Sequence, residues 1–136
     1  MKSYILVFFI VILDQLTKFY SKNINLDLKL FLLRYVENTG AAFGILQGYR
    51  YFLILISLVV MIILIYYLIT IKNKSAIRAF SFILGGTIGN LIDRIFLGYV
   101  RDFIDFQFWP TFNVADSFIT IGALILVYLL MTKKYN

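Results

Sequence analysis

The sequence predicts an all-α integral membrane protein: four transmembrane helices with a small extracytoplasmic β-sheet and surface loop. Three observations point there. Hydrophobic residues make up 62% of the chain and charged residues only 15%, with a mean hydropathy of +0.90, more apolar surface than a small soluble fold can hide. Several windows approach the roughly 20 apolar residues that cross a hydrocarbon core about 30 Å thick. Short polar motifs then sit at the edges of those windows. The length of 136 residues fits one membrane domain, 1–136.

The first helix is expected over residues 4–20, YILVFFIVILDQLTKFY, apolar apart from DQLTK in its last turns. Met1-Lys2 before an apolar run imitates a secretory leader, yet no small-residue cleavage site follows and Asp14 and Lys18 interrupt the run. It is read as a retained helix. Residues 51–71 carry no charge and form the second span. The third, 78–97, has Gly85, Gly86 and Gly89 in its middle and NLIDR toward its end; the fourth, 113–132, has Asp116 near its start.

The intervening segments set an orientation. Lys2, the short loop with Lys72, Lys74 and Arg78, and Lys133 with Lys134 concentrate positive charge on one side, while Lys22, Lys29, Arg34, Arg50 and Arg101 are spread through two longer segments. By the positive-inside rule both termini are cytoplasmic and residues 21–50 and 98–112 face outward. The motifs DQLTK, ENTG, NLIDR, RDFIDF and NVADS then meet near the outer face. Within 21–50, Leu26, Leu28, Leu30 and Leu32 alternate with Asp27, Lys29 and Phe31, a period of two that predicts strand. An amphipathic segment lying in the interface fits the same residues. Asn38, Thr39 and Gly40 form a turn in which Gly40 is free to take positive φ.

Composition also limits the chemistry. With no cysteine and no histidine, thiol nucleophiles, disulfides, histidine triads and His/Cys zinc sites are excluded. No metal or cofactor is expected. The net charge of +6 comes from basic residues scattered at helix ends, which favours anionic lipid over nucleic acid as a partner. Asp14 and Lys18, four apart, share a helix face and form an ion pair that either stabilises the helix or supports a site. Gly85 with Gly89, and Gly86 with Asn90, are spaced for close helix contact. Asn90, Asp93 and Arg94 share a face, where Arg94 would hold Asp93 in a salt bridge and leave it structural or supporting.

Alternation in RDFIDF puts Val100, Asp102 and Ile104 on one side and Arg101, Phe103 and Asp105 on the other. Arg101 and Asp105 read as the solvent-facing pair, leaving Asp102 inward. Asn113 can cap the last helix after Pro110, and Asp116 lies in its first turn. Two carboxylates within hydrogen-bond reach share a proton, so Asp102 and Asp116 could serve as general acid and base in hydrolysis. Three rivals remain open on the residues alone. One is a small proton-coupled membrane carrier with Asp14, Lys18, Asp93 and Asp116 as relay groups. Another is a Ser/Lys protease using Lys18 and Ser117, and the third is a structural subunit whose glycine-rich helix is the interface.

The stretches DQLTK (14–18), ENTGAAFG (37–44), GGTIGNLIDR (85–94), GYVRDFIDF (98–106) and FNVADS (112–117) together resemble, in order and across nearly the whole chain, the bacterial lipoprotein signal peptidases (signal peptidase II). The resemblance implies an aspartyl endopeptidase of four transmembrane helices in the bacterial cytoplasmic membrane. It would cut prolipoproteins just before a cysteine already carrying diacylglycerol. It places the catalytic pair at Asp102 and Asp116 and supporting residues at Asp14, Lys18, Asn38, Gly40, Asn90, Asp93, Arg94 and Asn113. It further implies inhibition by lipopeptides such as globomycin, contact with membrane lipid and action as a monomer. Arg101 departs from the pattern, since many relatives carry an apolar residue there, and the chain is short for the family.

Overall fold

The structure is a computed structural model that describes residues 3–29, 31–41 and 44–132. In chain order it contains α1 (Ser3–Ser21), β1 (Asn25–Asp27), β2 (Leu32–Asn38), α2 (Arg50–Thr70), α3 (Lys74–Phe96), β3 (Val100–Asp105) and α4 (Val114–Met131). All four helices are long and apolar enough to cross a membrane. Their packing is unequal: 61% of the α3 span is buried, against 17%, 11% and 17% for α1, α2 and α4. α3 is therefore the central post, and the other three lean on it while presenting bare side chains such as Phe8, Ile62 and Leu124 outward. In water those faces would oppose folding. A bilayer covers them, and the helical backbone satisfies its own hydrogen bonds.

α3 starts at Lys74, four residues before the expected 78. The Asn73 side chain accepts hydrogen bonds from the backbone N–H groups of Ser75 and Ala76 at 2.9 and 3.0 Å, satisfying donors that a helix start leaves open. Lys74, expected in a loop, is thus helical. At this end Leu64, Ala76, Phe80, Leu84 and Leu129 form the apolar core, with Tyr67 stacked on Phe80 at 5.1 Å. Lys2, Lys133 and Lys134, part of the orientation argument, lie outside the described residues.

The outer segments supply a three-stranded antiparallel sheet of order β1-β2-β3. The single alternating run expected over residues 26–32 is instead broken by a reversal. Lys29 takes φ 65°, its N–H donates to Asp27 Oδ1 at 2.8 Å, and Leu28 N–H donates to the Phe31 carbonyl at 3.1 Å. Strand alternation and a tight turn share the same composition here, and the local Asp27 bond favours the turn. Leu30 lies outside the described residues. Between β2 and β3 the register shifts between Leu33 and Val36, so that Val36 opposes Asp102 and Asn38 opposes Val100. The extra residue lies in β2 and brings Val36 and Asn38 onto the face that carries Asp102.

The expected close helix contacts are present. Gly85 faces Ile10 of α1, Gly86 faces the α4 backbone at Ala115, and a Cβ added at Gly89 would stand 2.5 Å from Asp14 Oδ2. Small residues let helices approach where lipid gives no drive for association. Gly89→Ala should therefore push α1 from α3 and lower stability by about 1–3 kcal/mol, read as a lower midpoint of thermal unfolding in detergent.

Candidate active site

The last turns of α1 and α3, the first turn of α4 and strand β3 converge at one end of the bundle. α4 begins with a reciprocal cap. Asn113 Oδ1 accepts from Asp116 N–H at 3.0 Å, and Asp116 Oδ2 accepts from Asn113 N–H at 3.1 Å. The expected cap at Asn113 is present, and Asp116 is itself the other half of it. Its other oxygen, Oδ1, accepts from Asn90 Nδ2 of α3 at 2.8 Å.

Asp102 is 2% exposed. Its Oδ1 accepts from Asn113 Nδ2 at 2.7 Å and its Oδ2 from Asn38 Nδ2 of β2 at 2.9 Å. The second Asn113 proton goes to Asn90 Oδ1 at 3.1 Å. One asparagine thus touches both aspartates and the asparagine that holds the second. Burial, and after it the neighbouring charge of Asp116, push the Asp102 carboxyl from its ordinary 3.8 up to about 7, against the hydrogen bonds from Asn38 and Asn113. Near neutral pH Asp102 can hold or release a proton, as a general acid requires. Both aspartates line a cavity of about 810 Å³, with Asn38, Asn90 and Arg94 as further polar walls and Trp109, Phe112 and Ile119 among the apolar ones.

Behind this pair lies a second, fully desolvated layer. Lys18 and Asp14 form the expected ion pair at 2.8 Å, both at 0% exposure. Lys18 also donates to Asn90 Oδ1 at 2.9 Å, and Asp14 Oδ1 accepts from the Ala115 N–H at the start of α4 at 2.9 Å. An anion at that helix start is favoured by the helix dipole.

Three expectations are corrected here. Asp93 is held by Arg101, not by Arg94: Arg101 Nη2 stands 2.7 Å from Oδ1, and Arg101 Nε and N–H reach Oδ2 at 3.1 and 2.9 Å. Neighbours at i and i+1 on a helix point apart, so Arg94 reaches across instead, donating to the Gly40 carbonyl at 3.0 Å. Arg101 and Asp105 do not face solvent, being 8% and 3% exposed. The face of β3 opposite Asp102 meets the ends of α1 and α3, and Asp105 pairs with Arg34 at 2.5 Å. Finally, Gly40 does not take positive φ; the glycines that do are Gly44, Gly48 and Gly98. Gly40 is needed for closeness, since an added Cβ would stand 2.7 Å from the Ile45 carbonyl oxygen. Its N–H donates to Asn38 Oδ1 at 2.9 Å, which fixes the amide that faces Asp102. Ala42 and Phe43 of the ENTGAAFG stretch lie outside the described residues.

Two residues at the site went unread in the sequence. Gln15 donates to Asp93 Oδ1 and the Gly89 carbonyl at 3.2 and 3.0 Å and accepts from Arg101 at 2.8 Å. A lone amide in an apolar helix, beside Asp14, was the available signal. Arg50 donates to the Arg94 and Ile95 carbonyls at 2.8 and 2.7 Å, closing the end of α3. Asp93→Asn leaves Arg101 and Lys18 short of a buried counter-charge, so stability should fall by about 3–5 kcal/mol; chemical unfolding in detergent measures it.

Comparison with known proteins agrees with this architecture. The family described as signal peptidase (SPase) II matches residues 6–132. The lipoprotein signal peptidase of Caldanaerobacter subterraneus subsp. tengcongensis is 50% identical, with 95% of each chain covered, and that of Halothermothrix orenii is 45% identical, covering 96% of this chain and 97% of the relative. Among solved structures, a bacterial membrane enzyme at 2.3 Å superposes with a TM-score of 0.91 at 32% identity, covering 97% of this chain and 88% of that one. A second, at 1.9 Å, gives 0.83 at 33% identity, covering 94% and 91%. With four apolar spans, a matching fold and half its residues shared with a full-length relative, this multi-pass bacterial membrane protein belongs to the signal peptidase II family of peptidases.

Proposed function

We propose that the chain is an aspartyl endopeptidase that removes the signal peptide from diacylglyceryl-modified prolipoproteins, cutting before the lipidated cysteine. The observation that carries the reading is the joint attachment of Asp102 and Asp116 to Asn113 on the wall of one cavity. In this mechanism Asp116 takes a proton from water as the water oxygen attacks the scissile carbonyl, and neutral Asp102 donates its proton to the carbonyl oxygen. The resulting tetrahedral diol collapses: the C–N bond breaks, the amine leaves with a proton from Asp116, and Asp102 regains one from the diol. The set of reacting groups is then as it began. Asn38, Asn90 and Asn113 orient the two carboxylates, Gly40 and Arg94 hold the turn that presents Asn38, and Asp14, Lys18 and Asp93 support from behind.

The cavity suits a lipidated peptide. Its wall includes Ile121, 46% exposed on the outer face of α4, so the space reaches the lipid-facing surface, and Trp109 at its rim is 54% exposed. Acyl chains can enter from the bilayer without passing through water. A lipopeptide such as globomycin would fill the same space, and the chain would act as a monomer with no metal or other cofactor. Positive charge at Lys72, Lys74 and Arg78 supports a cytoplasmic location for that end of the bundle and both termini, with the site near the outer face. Membership of a peptidase family leaves the carrier reading without support.

Asp102→Asn and Asp116→Asn should each reduce cleavage of a diacylated prolipoprotein by roughly 10³-fold or more while the protein remains folded in detergent; a gel-shift cleavage assay with circular dichroism decides it. The pH profile follows from the sign of the Asp102 shift. The neutral acid is the working form and is lost as pH rises through about 7, so kcat/KM should fall on the alkaline side with a midpoint there, as a property of the coupled pair.

A further inference from the structure

Arg101 precedes Asp102 in sequence but lies on the other face of β3, among groups the hydrolytic step does not touch. Four buried charges meet there: Asp14 and Asp93, Lys18 and Arg101. They sum to zero. Arg101 engages both Asp93 oxygens, at 2.7 and 3.1 Å, while Lys18 stands 3.5 Å from Asp93 and closer, at 2.8 Å, to Asp14. Lys18 also lies 2.9 Å from Asn90 Oδ1, and the same oxygen accepts from Asn113. With its oxygen taken by two donors, the Asn90 amide must turn its N–H toward Asp116, where it bonds at 2.8 Å.

We infer that Arg101 is a positioning residue for the aspartate pair: by satisfying Asp93 it leaves Lys18 on Asn90, and Lys18 in turn holds the Asn90 amide on Asp116. Its backbone N–H, bonded to Asp93 Oδ2 at 2.9 Å, also anchors β3 to α3 one residue before Asp102. Without a cation at 101, Lys18 alone faces two buried carboxylates and is drawn from Asn90 toward Asp93. Asp116 loses its oriented donor, and the neighbourhood loses one positive charge. Both changes make the pair hold its proton more tightly. The inference rests on the assignment of Asp102 and Asp116 as the working pair. The charged groups around Asp102 are Asp116 from α4, Lys18 from α1 and Arg94 from α3, with Glu37 of β2 on the cavity wall.

The test is a charge cycle on the full-length protein in detergent, with a synthetic diacylated lipopeptide as substrate and thermal unfolding measured alongside. Arg101→Met should lower kcat about tenfold with KM within about threefold and raise the midpoint of the alkaline limb by about one pH unit. Arg101→Lys, which keeps the charge but not the two-oxygen grip, should leave the limb in place and lower kcat. Asp93→Asn should move the limb the opposite way, to lower pH. The double variant Arg101→Met/Asp93→Asn, neutral again, should return the limb to the wild-type position. If Arg101→Met and Asp93→Asn both lose thermal stability while the limb stays put, Arg101 is only a structural tie and the inference is overturned. Should Arg101→Met not fold, the other two decide: a double variant displaced by a full unit, or an unmoved Asp93→Asn limb, overturns it. Asp102→Asn and Asp116→Asn run beside these. Activity in either removes the pair itself, whereas inactive controls with an unmoved limb remove only the role of Arg101.

Discussion

The site depends on a helix cap. Asn113 is wholly buried, and its side-chain oxygen is committed to the first turn of α4. An amide has a donor end and an acceptor end, so once the oxygen is used by the cap the NH₂ group must point away from the helix. There it meets Asp102 of β3 and Asn90 of α3. A local rule for starting a helix thereby fixes the meeting point of a strand, a central helix and the two aspartates. No rotation of Asn113 keeps the cap and releases Asp102.

Around that asparagine the molecule solves an electrostatic problem. Buried charges are unfavourable unless paired and hydrogen-bonded, and the layer behind the aspartates pairs two carboxylates with a lysine and an arginine. The approach of α1 to α3 at Gly89 makes this possible, because Asp14 occupies the space a side chain would take. In front of the layer the balance is left incomplete. Among the described residues Asp102 and Asp116 have amide donors but form no salt bridge, so burial and mutual repulsion act on Asp102. Neutral behind and strained in front is a favourable arrangement for moving a proton at a chosen oxygen. The rest of the bundle keeps water away and turns its apolar faces to lipid.

Much of this was legible in the residues. Carboxylates at the edges of apolar segments are costly, so Asp14, Asp102 and Asp116 stood out without any fold in hand, as did Lys18 one turn from Asp14. Asn113 was readable as a cap. What escaped was long-range. Alternation along RDFIDF says that Arg101 and Asp102 look opposite ways, but not that both directions are closed, and only the packing of α1 and α3 beneath β3 turns Arg101 inward. Adjacency suggested Arg94 as the partner of Asp93, whereas the helix geometry points them apart and the partner lies in a strand. The Asp27 turn within an alternating run, and Gly40 as a close approach where a positive φ was expected, were lost for a related reason: composition names a glycine or a turn residue without saying which need it meets.

The claim that Asp102 and Asp116 share one proton can be measured without substrate. Difference infrared spectroscopy of the protein in lipid, wild type against Asp102→Asn, isolates the carboxyl band of residue 102 across pH. A protonated band present at pH 6, fading with a midpoint near 7 and moving to lower pH in Asp116→Asn, is the predicted result. A residue 102 carboxylate already ionised at pH 6, or a band indifferent to the loss of Asp116, would contradict the account.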